Sequence, residues 1–328
     1  MYNKTVLDNG LTIISEKMDS YRSVSIGIWV AAGSRQETPE EAGLAHFIEH
    51  TTFKGTTTRN PQEIAREVES VGGILNAMTD KETCCFYCKI LGTHLDRAVN
   101  LLSDIVLNST YPADEMEKEK KVILEEISMY EDDPDEVSID KLTEGLWPGS
   151  SLGRPTIGFR ETVNSFNKEF VDTYRKRNYV FHNLIVSAAG DVDHQQLVDL
   201  VKTHFDHLPG SDHPIEIPPT PPSAYPEMYY EKPVEQIHFS MATDSYARDH
   251  RDRYALTVLS TILGGGMSSR LFQEIREKRG LVYGIGTFGQ SYRDTGIFGI
   301  YGGTSPEYFK QVKDLIFVEL AKVGNEAV

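Results

Sequence analysis

A chain of 328 residues is too long for one small domain, and two domains are the natural division. Its composition, 39% hydrophobic and 25% charged, is that of a globular protein, and no apolar run approaches the roughly 20 residues needed to cross a bilayer. The net charge of −16 argues against nucleic acid and anionic membranes as partners.

The opening segment, MYNKTVLDNGLTIISEKM, has no apolar core of the kind a secretory leader carries and reads as a hairpin turning at Asn9-Gly10. That places the protein in the cytoplasm, or in an organelle matrix. Apolar periodicity then predicts strands at 11–15, 23–32, 83–92 and 183–190, and helices at 39–52, 61–71, 93–108, 112–131 and 193–206. This mixture points to an α+β fold, a mainly antiparallel sheet with helices packed on one face. Cys84, Cys85 and Cys88 crowd into one predicted strand. Residues 85 and 88 face opposite sides of it, so buried thiols in a reducing compartment fit better than a zinc knuckle or redox pair.

Residues 112–140 hold twelve acidic residues against three lysines, a net −9 in one segment. A solvated helix face accounts for this. An acidic wall favouring basic peptides is the functional alternative. Further on, SDHPIEIPPTPPSAYP (211–226) contains six prolines, which forbid helix and favour an extended linker. The chain therefore divides into 1–210, a linker at 211–227, and 228–328.

Beyond the linker, QIHFSMATDSYARDHRDRYALTVLSTIL repeats the plan of SVSIGIWVAAGSRQETPEEAGLAHFIEH: strand, polar turn, amphipathic helix. A Gly-rich turn, a strand pair within 281–302 and a helix at 306–322 follow, as in the first half. Two homologous lobes are expected, the second lacking its C-terminal portion, since little chain follows its last helix. The Gly-rich LGGGMSSRLF lacks the G-K-[ST] ending of a phosphate-binding loop. His94, His182, His194, His204 and His207 show no ligand spacing and read as surface or loop residues.

The segment GLAHFIEHTTFKG (43–55) carries the chemistry. On a helix, His46 and His50 stand at i and i+4, so two imidazoles share a face and can meet one ion. Glu49 lies beside them, near enough to polarise bound water without ligating. Zinc hydrolases need this combination of an open metal position and an adjacent base. The order H-x-x-E-H is that of the inverzincins; a polar helix edge is the plain alternative. The residues alone do not settle a third ligand. Glu119 and Glu126 share one face of helix 112–131 and Glu125 points about 100° away, but many other carboxylates compete.

HFIEH followed by FKGT, then GGILNAMTDKET and EKEKKVILEEI, resembles the M16 family of zinc metallopeptidases (insulinase, pitrilysin, mitochondrial processing peptidase) over nearly the whole chain. The resemblance is to a two-lobe, bacterial-type member. It implies a zinc endopeptidase holding one Zn2+ per chain through His46, His50 and Glu126, with Glu49 as general base and Glu119 as a supporting acid. It also implies that Asn76, Ala77, Met78 and Thr79 belong to an exposed edge strand on which a peptide substrate lies as an added strand. Arg276 and Tyr283 resemble the family's Arg/Tyr pair, reaching from the non-catalytic lobe to grip a substrate carbonyl and stabilise the oxyanion. Lobes closing as a clam shell, and a homodimer or a heterodimer with a related subunit, follow from the same resemblance. Some members have lost the zinc motif and serve as scaffold subunits. A catalytically idle partner protein is therefore the alternative.

Overall fold

The computed structural model describes residues 1–205 and 217–326. The helix predicted over 193–206 is described as far as Phe205, while His207 and residues 211–216 of the predicted linker lie outside the described residues. In chain order the elements begin with β1 (Asn3–Val6), β2 (Thr12–Lys17), β3 (Ser23–Val30), α1 (Leu44–Thr52), α2 (Pro61–Glu69), β4 (Ile74–Thr79), β5 (Cys84–Leu91), α3 (Leu95–Asn108) and α4 (Ala113–Asp132). They continue with α5 (Pro134–Leu146), α6 (Arg160–Ser165), α7 (Lys168–Asn178), β6 (Leu184–Gly190) and α8 (His194–Phe205). After the proline-rich stretch come β7 (Ile237–Ser245), α9 (Arg253–Gly264), β8 (Val282–Ser291), β9 (Gly296–Thr304) and α10 (Phe309–Asn325).

Contacts divide the chain into two compact units, Met1–Ile127 with Pro155–Pro218, and Ser128–Arg154 with Pro219–Val328. The first is built on a six-stranded sheet of order β1-β2-β6-β3-β5-β4, antiparallel throughout except for the β2/β6 pair. The α+β expectation holds. Period-two alternation sends Val24, Ile26, Ile28 and Val30 of β3 and Phe86, Cys88 and Ile90 of β5 to the face covered by α3 and α8. Each large apolar side chain so placed contributes about 1.5–3 kcal/mol by leaving water. A second cluster joins Leu44, Phe47 and Ile48 of α1 to Met116, Ile123 and Ile127 of α4, and to Val163, Phe166, Val171 and Tyr174 around α6 and α7. This cluster fixes α1 against α4.

The second unit has a three-stranded antiparallel sheet of order β7-β9-β8. Its connectivity is that of β3-β5-β4 in the first unit: one strand, then a hairpin whose second arm pairs with it. Phe239, Leu263, Ile275, Ile300, Val312 and Ile316 belong to its core.

Three differences from the sequence reading have physical causes visible in the structure. The helix predicted over 39–52 begins at Leu44, preceded by a 3-10 turn at Pro39–Glu41, because Gly43 breaks the run with a φ of +93°. Residues 128–154, assigned by sequence to the first domain, group with the second unit. There α5 lies along β7, with the Ser138 hydroxyl donating to Ser240 Oγ (2.7 Å) and His238 Nδ1 2.7 Å from Asp135 Oδ1. His194 is no loop residue: at the start of α8 it bonds Thr5 Oγ1 and Ser15 Oγ, both at 2.8 Å, tying the helix to β1 and β2.

Candidate metal centre

Helix α1 is short, and its N-terminus is held from outside. The Glu37 carboxylate accepts from the backbone N–H groups of Gly43 (2.8 Å) and Ala45 (2.7 Å), satisfying donors that an α-helix leaves open. Gly43 is required there: a Cβ would stand 2.5 Å from the Ile157 carbonyl oxygen. Tyr174 Oη donates to the Gly33 carbonyl (3.1 Å) and Arg177 pairs with Glu41 (2.8 Å), so the loop leading into the helix is pinned as well. With Leu44, Ala45, Phe47 and Ile48 buried on one side, His46, Glu49 and His50 are left on the partly open one.

Opposite them, α4 presents Glu126. Its Oε2 lies 3.7 Å from His46 Nε2 and 3.6 Å from His50 Nε2. Among the described residues, His46, His50 and Glu126 are the one group of three or more His, Cys, Asp or Glu side chains able to hold a metal ion, with their ligand atoms within 4.8 Å of one another. Glu125, the neighbour on the same helix, is exposed and is not part of this group. Glu119, two turns earlier, accepts at Oε2 from His50 Nδ1 (3.3 Å) and pairs through Oε1 with Lys54 Nζ (2.7 Å). Protonation at Nδ1 leaves the Nε2 lone pair of His50 facing Glu126 and His46.

Burial holds the His46 imidazole neutral, its pKa pushed down to about 3, with the neighbouring His50 adding to the effect. Two imidazole nitrogens and one carboxylate, with a second carboxylate behind one imidazole, form a donor set that suits zinc and leaves a coordination position open. The residues fit the ion. Burial raises the pKa of Glu49, opposed by the nearby Thr79 side chain and by His50, and reinforced by Glu126. Its carboxylate is therefore a better proton acceptor than that of an exposed glutamate.

The other predicted residues fall in two places. Asn76, Ala77, Met78 and Thr79 all lie in β4, the terminal strand of the sheet, which among the described residues pairs with β5 alone. Ala77 and Thr79 face the helix layer; Asn76 and Met78 point to the other side and are exposed. Arg276 and Tyr283 belong to the second unit, where the guanidinium stacks 5.2 Å from the ring centroid and Tyr283 is 81% exposed. The cysteines are free and buried; Cys84 and Cys88 share one face of β5 and Cys85 occupies the other. Sequence reasoning did not single out Lys54 or Glu37. Lys54 stands in the FKGT segment directly after the helix, which is a usable signal. Nothing in the local pattern marks Glu37 as a cap six to eight residues upstream of the groups it holds.

A family model described as "Insulinase (Peptidase family M16)" matches residues 12–159, and one described as "Peptidase M16 inactive domain" matches residues 165–328. The chain belongs to peptidase family M16. The first match contains His46, Glu49, His50, Glu119 and Glu126; the second contains Arg276 and Tyr283. Among curated relatives, an uncharacterized zinc protease of Bacillus subtilis is 37% identical, over 100% of this chain and 80% of its own length. One of Mycobacterium leprae is 38% identical, over 99% and 74%. Two solved structures share the fold across the whole chain. They are a protease from Helicobacter pylori (TM-score 0.91, 23% identity, 81% of that chain) and a peptidase M16 inactive domain from Pseudomonas fluorescens (0.92, 21%, 80%). Among the described residues, no helix is long and apolar enough to cross a membrane.

Proposed function

We propose that this M16 chain is a zinc-dependent endopeptidase that cleaves peptides or unfolded segments. The observation carrying the reading is the convergence of His46, His50 and Glu126 beside Glu49. His46, His50 and Glu126 would hold one Zn2+, which when bound supplies a Lewis acid and makes water a stronger acid. Glu49 takes the proton from the attacking water and delivers it to the leaving amine nitrogen. Glu119 orients His50 by accepting from Nδ1.

The unpaired side of β4 supports binding of an extended peptide as a seventh strand, held by backbone hydrogen bonds from Asn76 to Thr79. In the same reading Tyr283 donates to the developing oxyanion and Arg276 to a substrate carbonyl. A Tyr283→Phe variant that keeps its zinc but loses kcat would support that role. The acidic 112–140 segment favours substrates with basic side chains, and the protein works as a dimer, with itself or with a related subunit. Both are read from one experiment set: cut sites in a mixed peptide pool, and mass by light scattering. A chain that binds zinc, folds and leaves every peptide intact would instead be a catalytically idle subunit.

A further inference from the structure

We infer that Lys54 is a positioning residue of the metal centre, acting through Glu119 to fix the orientation of His50. The inference rests on the zinc reading above. Glu119 is buried, and each of its carboxylate oxygens has a separate partner: Oε2 accepts from His50 Nδ1 (3.3 Å), and Oε1 accepts from Lys54 Nζ (2.7 Å). A carboxylate in that setting with a single partner could rotate about its Cγ–Cδ bond and present either oxygen. Anchoring Oε1 on an ammonium aims Oε2 at the imidazole.

Lys54 is itself held in place. Its backbone N–H donates to the Thr51 carbonyl (3.1 Å), closing the turn after α1. Gly55 follows with a φ of +123°, and its carbonyl accepts from the Thr110 N–H (3.0 Å) in the segment leading to α4. The lysine therefore spans the two helices that carry the ligands.

The two histidines are supported unequally. His46 Nδ1 is buried with no hydrogen-bond partner among the described residues, so its ring is held by packing. His50 is held by the Lys54–Glu119 chain. A charged group that touches no ligand atom should then matter to the ion, and only by way of Glu119. This separates positioning from a plain ion pair joining α1 to α4, which would stabilise the fold without a metal-specific effect.

The test is zinc affinity, measured by competition with a chromophoric chelator, together with thermal unfolding of the metal-free protein. The set comprises the unaltered chain, Lys54→Met, Lys54→Gln, Lys54→Arg, Glu119→Gln and the Lys54→Met/Glu119→Gln double variant. Loss of a partner behind a metal-ligating histidine typically weakens binding about 10–100-fold. That loss is expected for Lys54→Met and Lys54→Gln, with recovery in Lys54→Arg. The double variant should bind no more weakly than Glu119→Gln alone. Unchanged affinity in Lys54→Met and Lys54→Gln, or independent losses that multiply in the double variant, would overturn the inference while leaving the zinc reading intact. An unaltered chain that binds no zinc would overturn both.

Discussion

Thr79, the last residue of β4, donates its hydroxyl proton to Cys84 Sγ (3.4 Å) and lies beside Glu49 on α1, whose pKa its side chain lowers. The strand proposed to receive substrate thus ends beside the acid proposed to activate water. The Thr79 side chain favours ionised Glu49, against the burial that raises its pKa. Glu49 must be ionised to accept a proton. Thr79→Val removes a stabiliser of the charged form, so the acidic limb of the kcat profile moves to higher pH and activity falls most below neutrality. Zinc content should not change. A limb that stays in place would show that the hydroxyl does not tune the base.

Glu37 supports the same helix from its other end. Glu37→Ala strips the acceptor from the Gly43 and Ala45 N–H groups; loss of a helix cap costs about 0.5–2 kcal/mol. Urea unfolding of the metal-free protein should show a lower midpoint at an unchanged slope, and zinc should bind more weakly, because His46 directly follows the capped Ala45.

Arg35 and Glu82 form a buried pair (2.6 Å) joining the loop before α1 to the β4–β5 turn. Removing one member of a buried pair strands the other charge and typically costs about 3–5 kcal/mol. Glu82→Leu should therefore destabilise the first unit by roughly that amount in denaturant titration. A neutral effect would show that other groups around Arg35 carry the charge alone.

Burial pushes the Cys85 thiol up to about 12 and the Cys88 thiol to about 11, and raises Cys84 further still. A thiolate reagent should leave the native protein unlabelled and titrate three thiols only after unfolding. Substituting Cys85 or Cys88 by Ser should leave zinc stoichiometry unchanged.

The parts legible in the sequence are those written in short-range spacing. The i, i+4 histidines and the seven-residue step from Glu119 to Glu126 encode faces of single helices, and both faces converge as the spacing requires. The missed parts depend on distant neighbours. Helix α5 buries only Gly145 and Leu146 of its own residues, so it carries almost no amphipathic signal; its position is set by β7, about a hundred residues away in sequence. Helices α6 and α7 owe their burial to Phe47 and Tyr111, again remote. The start of α1 depends on Glu37 and on the close approach of Gly158 to Gly43, neither visible as periodicity.

The most direct test of the metallopeptidase reading compares the unaltered chain with Glu49→Gln, each loaded with zinc and incubated with a mixed peptide pool read by mass spectrometry. One zinc per chain is expected in both, with peptide loss by the first and a rate lower by about 10²–10⁴ with the second. Equal cleavage by the two proteins would contradict Glu49 as the base, and intact peptides with the zinc-loaded unaltered chain would contradict the peptidase reading itself.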